Sequence, residues 1–306
     1  MNPARRDIRV KAVVTGAKGF IGHHLCHLLR ERGDVVTEVD LPEFDITDPE
    51  RIRGVLTRCR PEVIYHLAAQ ANAARSWTNP LETWTVNVLG TAALLETARS
   101  TSPDARILIM SSASIYDGLR PSGAIQESWS VKPRSPYGLS KAMVEKISKH
   151  YTEEYDMDIL VARPFNAIGP GQRLPYLIPA LAQRVVIAVR TAQTAISIGN
   201  ISVRRDFVDV RDVAEALIVM VGRGHLGYTY NICSGRGISI GSIAHRLIAL
   251  SGVDIHLVTN PVLQRDTDAS EIVGDPSFVS RETRWTARIP LETTLSDVLS
   301  EWSHRS

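Results

Sequence analysis

Long apolar runs are missing from this 306-residue chain. No stretch approaches the ~20 residues that cross a bilayer, which excludes a helical membrane protein. Cysteine is scarce: Cys26, Cys59 and Cys233 are too few and too scattered for a disulfide framework. Aromatic residues make up 6% and the net charge is only +2, so neither nucleic acid nor an acidic membrane surface is an expected partner. Arg99, Arg106 and Arg134 form no aromatic-interleaved stripe, which removes the remaining case for nucleic-acid binding. The opening residues Met1 to Asp7 carry charge but lead into an apolar strand without a cleavable-signal pattern. Together with the cysteine usage, this makes the cytoplasm the expected location.

What is present is ordinary in bulk and specific in order. Hydrophobic content of 44% and charged content of 22% suit a globular protein with one large domain or two smaller ones. Short β-rich runs alternate with helical stretches over the first ~165 residues, which predicts a parallel sheet covered by helices. Strands are expected at Arg9 to Thr15, Val35 to Asp40, Glu62 to Leu67, Arg106 to Met110 and Asp158 to Ala162. Helices are expected at Phe20 to Arg32, Pro49 to Arg58, Pro80 to Ser100 and Tyr137 to Tyr155. The continuous apolar character of Val63-Ile64-Tyr65 and Ile107 to Met110 fits strands covered on both faces. After Arg163-Pro164-Phe165 the regularity breaks into Gly/Pro-rich loops and isolated elements, with a further helix at Val210 to Gly222. The expected architecture is α/β: a Rossmann-type doubly wound parallel sheet with a smaller C-terminal substrate lobe. Residues 1–165 would form the dinucleotide domain, with part of about 201–235 packing back on it, and 166–306 mainly the second lobe.

The run Thr15-Gly16-Ala17-Lys18-Gly19-Phe20-Ile21-Gly22 stands between the first strand and the first helix. Gly16, Gly19 and Gly22 supply a tight turn, let backbone approach a pyrophosphate, and deliver it to a helix N-terminus. Glycines alone also mark ordinary turns; the strand before and the helix after give this run its meaning. Asp40 ends the second strand at about the spacing expected of a carboxylate on the adenosine ribose. It would accept hydrogen bonds from the ribose hydroxyls and repel a 2′-phosphate, favouring NAD over NADP.

Tyr137 and Lys141 lie four residues apart and so share a helix face. A phenol is a poor base at neutral pH, but a neighbouring ammonium stabilises its anion and lets it accept a proton from a hydroxyl. Tyr-x-x-x-Lys by itself is common on surfaces. Ser112 adds a hydroxyl just after the strand Arg106 to Met110, at the sheet edge where open α/β folds bind ligands.

These motifs spell out a family. The chain resembles the extended short-chain dehydrogenases/reductases acting on nucleotide sugars, through the glycine run, His66-Leu67-Ala68-Ala69, Asn87 in Asn-Val-Leu-Gly-Thr, Ser111-Ser112 with Tyr116, and Ser135-Pro136-Tyr137-Gly138-x-Ser140-Lys141. Arg163-Pro164-Phe165-Asn166, Arg205-Asp206-Phe207-Val208-Asp209-Val210-x-Asp212 and Tyr230-Asn231-x-x-Ser234-Gly235 extend the resemblance over essentially the whole chain. It implies Ser112, Tyr137 and Lys141 as the catalytic set. NAD would be lined by Gly16, Gly19, Phe20, Ile21, Gly22, Leu67, Ala68, Ala69 and Asn87, with Asp45 and Ile46 beside the adenine and Pro164 near the nicotinamide. Asn166, Arg205 and Arg265 match positions that hold a nucleotide diphosphate, and Asp268 an acidic position seen in GDP-sugar members. A guanidinium suits bidentate phosphate binding, which agrees for the two arginines.

One departure narrows the chemistry. Sugar-nucleotide 4,6-dehydratases carry an acid pair where this chain has Ala113 and Ser114, neither of which can serve as a carboxylic acid. A 4-epimerase recycling its hydride through NAD is the expected activity, with a GDP-type 4-keto-6-deoxysugar reductase as the alternative. A catalytically silent NAD-binding sensor ranks lower, because Ser112, Tyr137 and Lys141 are all present. The resemblance further implies a homodimer built on the helices Pro80 to Ser100 and Tyr137 to Tyr155. His23, Cys26 and His27 are expected as helix surface plus a buried thiol, and Cys233 as a small buried residue; no metal is expected.

Overall fold

A computed structural model describes residues 9–119, 123–263 and 270–305. In chain order the first elements are β1 (Lys11–Thr15), α1 (Phe20–Glu31), β2 (Val35–Val39), α2 (Pro49–Cys59), β3 (Val63–His66), α3 (Ala73–Thr78) and α4 (Pro80–Trp84). A π-helical segment, Thr85–Leu89, leads into α5 (Gly90–Thr101), followed by β4 (Arg106–Met110), a 3₁₀ turn (Ala113–Tyr116), α6 (Pro136–Tyr155) and β5 (Ile159–Pro164). Then come β6 (Asn166–Ile168), α7 (Leu177–Arg190), β7 (Ala195–Ile198), β8 (Arg204–Asp209), α8 (Val210–Arg223) and β9 (Thr229–Ile232). The chain finishes with β10 (Gly237–Ser239), α9 (Ile240–Ser251), β11 (His256–Thr259), a 3₁₀ turn, β12 (Glu271–Ile272), α10 (Ser277–Thr283) and α11 (Leu291–Arg305).

The central sheet has the order β2-β1-β3-β4-β5-β9. β1 pairs in parallel with β2 on one side and β3 on the other, as Val13 lies against Thr37 and Ile64. The strand order therefore reverses at β1, and the carboxyl ends of β1 and β3 form the switch point where such sheets bind ligands. β3 and β4 are buried on nearly every residue, as their uninterrupted apolar sequence requires. Local chemistry starts and stops the helices. Asp48 caps α2 by accepting from the backbone N–H of Glu50 and Arg51, with Pro49 as its first residue. Ser135 caps α6 through Gly138 N–H, again with proline first, and Asp156 ends that helix at φ 53°.

Two compact units emerge, 1–112 with 135–163 and 214–230, and 113–134 with 164–213 and 231–306. The first has a core of Val13, Ile64, Ile107, Ile109 and Val161 from the sheet, packed under Ile52 and Leu56 of α2, Leu94 and Leu95 of α5 and Val144 of α6. Its 214–230 segment is tied in by Arg106, which donates to the carbonyl of Val221 at 2.7 Å. In the second unit β8 pairs with β6 and β12 in parallel and with β10 antiparallel. Leu181 and Val185 of α7, Ile243 and Leu247 of α9, and Leu295 and Trp302 of α11 make its core. Buried Asp212 there accepts from the backbone N–H of Arg288 and Ile289, and its carbonyl accepts from Trp285 Nε1. Among the described residues no helix is long and apolar enough to cross a membrane.

Candidate active site

The glycine loop sits at the switch point. Gly16 has φ +70°, and a Cβ on it would stand 2.7 Å from the backbone N of Ala68. A Cβ on Gly22 would strike the carbonyl oxygen of Gly16 and crowd Ala17. The first turn of α1 carries no acidic residue and Gly19 offers no side-chain cap, so the helix's N-terminal N–H groups and dipole face an anion from elsewhere. A backbone cradle closed to any side chain, ending on an uncapped helix N-terminus, fits a dinucleotide pyrophosphate. Phe20 and Ile21 are half-buried in that first turn.

Asp40 follows β2 and binds the loop directly: its carboxylate accepts from Lys18 N–H at 2.8 Å and from Leu41 N–H at 2.8 Å. An anion is thereby fixed at the position expected to meet the ribose. Lys18 extends its ammonium to Glu43 at 2.9 Å, on the surface. Asp45 turns its carboxylate onto Thr47, accepting from both its N–H and its hydroxyl. Ile46 is buried, and a Cβ at Gly90 would meet its Cγ2 at 2.8 Å. Half-buried Leu67, Ala68 and Ala69 continue from the end of β3.

A directional chain of buried polar groups connects this floor to α6. Ala68 N–H donates to Thr15 Oγ1 at 3.2 Å, Thr15 Oγ1 lies 2.8 Å from His66 Nδ1, and His66 Nε2 lies 2.9 Å from Thr91 Oγ1. Thr91 spends its proton on the carbonyl of Asn87 at 2.6 Å, so His66 must donate from Nε2 and accept at Nδ1. Asn87 accepts from Gln70 N–H at 2.8 Å and donates to Ser140 Oγ at 2.9 Å; Ser140 donates to the carbonyl of Tyr137 at 2.7 Å. Asn87 belongs to the π segment; the widened turn of such a segment redirects its side chains relative to a regular helix. Burial, reinforced by the charge of Lys141, pushes His66 down to about 3.

That depression has a sign and a window. A neutral His66 stabilises the fold fully above the unfolded-state value near 6.5, and the contribution is lost as pH falls from there toward 3. Lowering pH from 7 to 5 should remove about 2 kcal/mol through this group. Chemical denaturation of wild type and His66→Asn at both pH values checks it: the pH-dependent loss should be smaller in the variant by that amount.

Tyr137 opens the first turn of α6 and is 9% exposed; its backbone N–H donates to Ser76 Oγ at 3.1 Å. Lys141 lies one turn on, fully buried, with Nζ 6.0 Å from the Tyr137 ring centroid and donating to the carbonyl of Met110 at 2.7 Å. Burial lowers Lys141 to about 8, and the charge of Glu145 opposes that. Half-buried Ser112 follows two residues after Met110. The start of α6 thus brings phenol and ammonium together beside the β4 end, and Ser112 belongs to the same compact unit. Of the elements that pack on α6, α3 has no counterpart in the sequence expectations, and the π segment falls inside the single helix expected over Pro80 to Ser100.

Among the substrate candidates, Asn166 is exposed and donates to the carbonyl of Asp206 at 2.8 Å. Arg205 is half-buried and donates to the carbonyl of Arg204, while Arg204 itself is committed to Glu271 at 2.9 Å. Asp206, fully buried, organises the strand between them by accepting from Ser234 N–H and Oγ, Gly235 N–H and Gly274 N–H. Burial raises its pKa against those bonds. Pro164 ends β5 and is buried; Arg265 and Asp268 lie outside the described residues. Among the described residues no group of three or more His, Cys, Asp or Glu is placed to hold a metal, and His27 pairs with Glu31 instead. Cys26 and Cys233 are buried thiols pushed up by that burial.

Residues 12–233 match the NAD dependent epimerase/dehydratase family. GDP-6-deoxy-D-mannose reductase of Pseudomonas aeruginosa is 30% identical over 295 residues, covering 95% of this chain and 97% of that protein. UDP-glucose 4-epimerase of Mycolicibacterium smegmatis is 32% identical over 249 residues, covering 74% of this chain and 78% of that one. The solved structure of RMD from Pseudomonas aeruginosa complexed with NADPH superposes with a TM-score of 0.88 at 29% identity, covering 96% of this chain and all of that one. The chain belongs to the NAD-dependent epimerase/dehydratase family of enzymes.

Proposed function

We propose that this enzyme carries out oxidation and reduction at C4 of a nucleotide-diphosphate sugar, and that its first activity is 4-epimerisation. The observation that carries this is the Tyr137–Lys141 pair on α6, with the ammonium anchored on the β4 carbonyl that precedes Ser111-Ser112. Tyr137 takes the proton from the sugar's O4 and later returns one, Lys141 stabilises the phenolate, and Ser112 holds the reacting oxygen. Gly16, Gly19, Phe20, Ile21 and Gly22 would hold the phosphates of NAD, Asp40 its ribose, and Leu67, Ala68, Ala69 and Asn87 would form the wall beside it; the cofactor so held would supply reversible hydride chemistry at C4. Asn166 and Arg205 are assigned to the substrate's nucleotide diphosphate.

Two observations support this reading. Asp40, held at the end of β2 by Lys18 N–H and Leu41 N–H, is assigned to the adenosine ribose, where it would repel a 2′-phosphate and favour the NAD that an epimerase recycles; Ala113 and Ser114 supply no carboxylic acid, which argues against dehydration. The second reading is reduction of a GDP-4-keto-6-deoxysugar, favoured by the 95% coverage of this chain by a GDP-sugar reductase. Cofactor balance separates them. An epimerase interconverts two sugars, tested with UDP-glucose/UDP-galactose and GDP-mannose, on trace NAD without net consumption. A reductase consumes one NAD(P)H for each 4-keto sugar reduced. A homodimer belongs to the same proposal, supported by Leu81, Leu89 and Met143 standing 73%, 61% and 40% exposed on α4, the π segment and α6.

A further inference from the structure

Behind the Tyr137–Lys141 pair lies a second cluster that the proposed chemistry does not use. Glu145 sits one turn beyond Lys141 on α6, and its carboxylate takes three hydrogen bonds. Ser111 Oγ donates to Oε1 at 2.5 Å, Arg163 Nε to the same oxygen at 2.8 Å, and Arg163 Nη2 to Oε2 at 2.6 Å. The Arg163 and Glu145 side chains are only 8% and 12% exposed. Two successive residues at the end of β4 are therefore held by two residues one turn apart on α6: Met110 by Lys141, Ser111 by Glu145. Ser112 is the next residue along.

Charge makes the arrangement more than a brace. One carboxylate is paired with buried Arg163 at 2.6 Å and stands one helical turn from buried Lys141 on α6. Arg163 keeps its proton under any condition a protein survives, whereas an ammonium yields when buried without a counter-charge. Three further groups beside Lys141 are not carboxylates: His66 on β3 is neutral, Met110 offers a carbonyl, and Tyr137 is a phenol. The helices packed against this part of α6 present Trp84, which donates to the carbonyl of Pro136, and Asn87, bonded to Ser140. Glu96 of α5 meets α6 ten residues further on, at Tyr151.

We propose that Glu145, held by Arg163 and Ser111, is a positioning residue for the acid/base pair: it fixes the β4 end that anchors Lys141 and precedes Ser112, and it is the counter-charge that keeps the Lys141 ammonium protonated. The proposal rests on Tyr137–Lys141 as that pair, but its test does not need turnover. The chain has six lysines, so ¹³C-lysine NMR resolves them, and Lys141→Met identifies the Lys141 signal. In wild type that signal should titrate near 8, where burial places it. Glu145→Gln should lower the midpoint by about one to three pH units, and Arg163→Gln, which leaves Lys141 as the carboxylate's sole buried cation, should raise it by a similar amount. Glu145→Asp should fall between wild type and Glu145→Gln. If Glu145→Gln does not fold, Arg163→Gln and Glu145→Asp decide the matter. A midpoint unmoved by them, or moved the same way by Glu145→Gln and Arg163→Gln, overturns the proposal. Retained turnover in Tyr137→Phe would sink the acid/base assignment and leave this titration untouched.

Discussion

Tyr137→Phe should lose about three orders of magnitude in turnover while the protein stays folded. General acid–base catalysis by a positioned side chain contributes typically 10²–10⁴-fold, and in the proposed chemistry the phenol is the group that exchanges a proton with O4. The backbone bonds of residue 137 survive the change: its N–H donates to Ser76 Oγ and its carbonyl accepts from Ser140 Oγ. The ring of phenylalanine fills the same buried volume. Steady-state rates with a nucleotide sugar, alongside thermal unfolding of the same preparation, check both halves. A variant within tenfold of wild type would remove Tyr137 from the chemistry. A variant that unfolds several degrees early would mean the hydroxyl is structural instead.

Gly16→Ala should abolish retention of the cofactor and weaken the fold. Two costs add at this residue. Alanine at φ +70° enters a backbone region that costs an L-residue roughly 1–2 kcal/mol. Its Cβ would also lie 2.7, 2.8 and 2.9 Å from backbone atoms of Leu67 and Ala68, and those cannot rotate away as a flexible side chain does. β1 and the β3 end must separate at the switch point, which breaks the Leu67 N–H bond to Thr15 and the Ala68 N–H bond to Thr15 Oγ1. Binding of NAD, followed by fluorescence quenching or calorimetry, should fall at least a hundredfold. Gly33→Ala is the control: it also has positive φ (+87°) but nothing within 4 Å of its Cβ position. It should cost stability alone and leave NAD affinity within about twofold of wild type.

The parts of this molecule legible in its sequence are those where one local rule decides. The buried strands Val63–His66 and Arg106–Met110 follow from unbroken apolar runs, and the loop after Thr15 from the glycine spacing. Where several rules compete, the sequence misleads. Pro80 to Ser100 reads as one helix by periodicity, yet α4 gives way at Thr85 to a π segment whose extra residue leaves no composition signal. The short α3, capped by Asn72, is too brief for periodicity to reveal. Asp45, expected beside the adenine, has one carboxylate oxygen held by Thr47 N–H and hydroxyl, a local turn that the motif does not record. Glu145 stands four residues past Lys141, but no sequence motif singles it out. Its significance depends on Arg163 and Ser111, which are brought to it by the pairing of β4 with β5 and so cannot be read from spacing.

The central claim, redox at C4 with the hydride returned to the same carbon, is tested most directly by following that carbon. Enzyme with trace NAD is incubated with C4-deuterated nucleotide sugar (UDP-glucose and GDP-mannose in separate reactions), and the products are analysed by mass spectrometry and NMR. The account predicts a C4 epimer that keeps the deuterium at C4, with no net change in the cofactor's redox state. No epimer, together with deuterium at C4 of a reduced sugar only when 4-deuterated NAD(P)H and a 4-keto sugar are supplied, would contradict it and establish a one-way reductase.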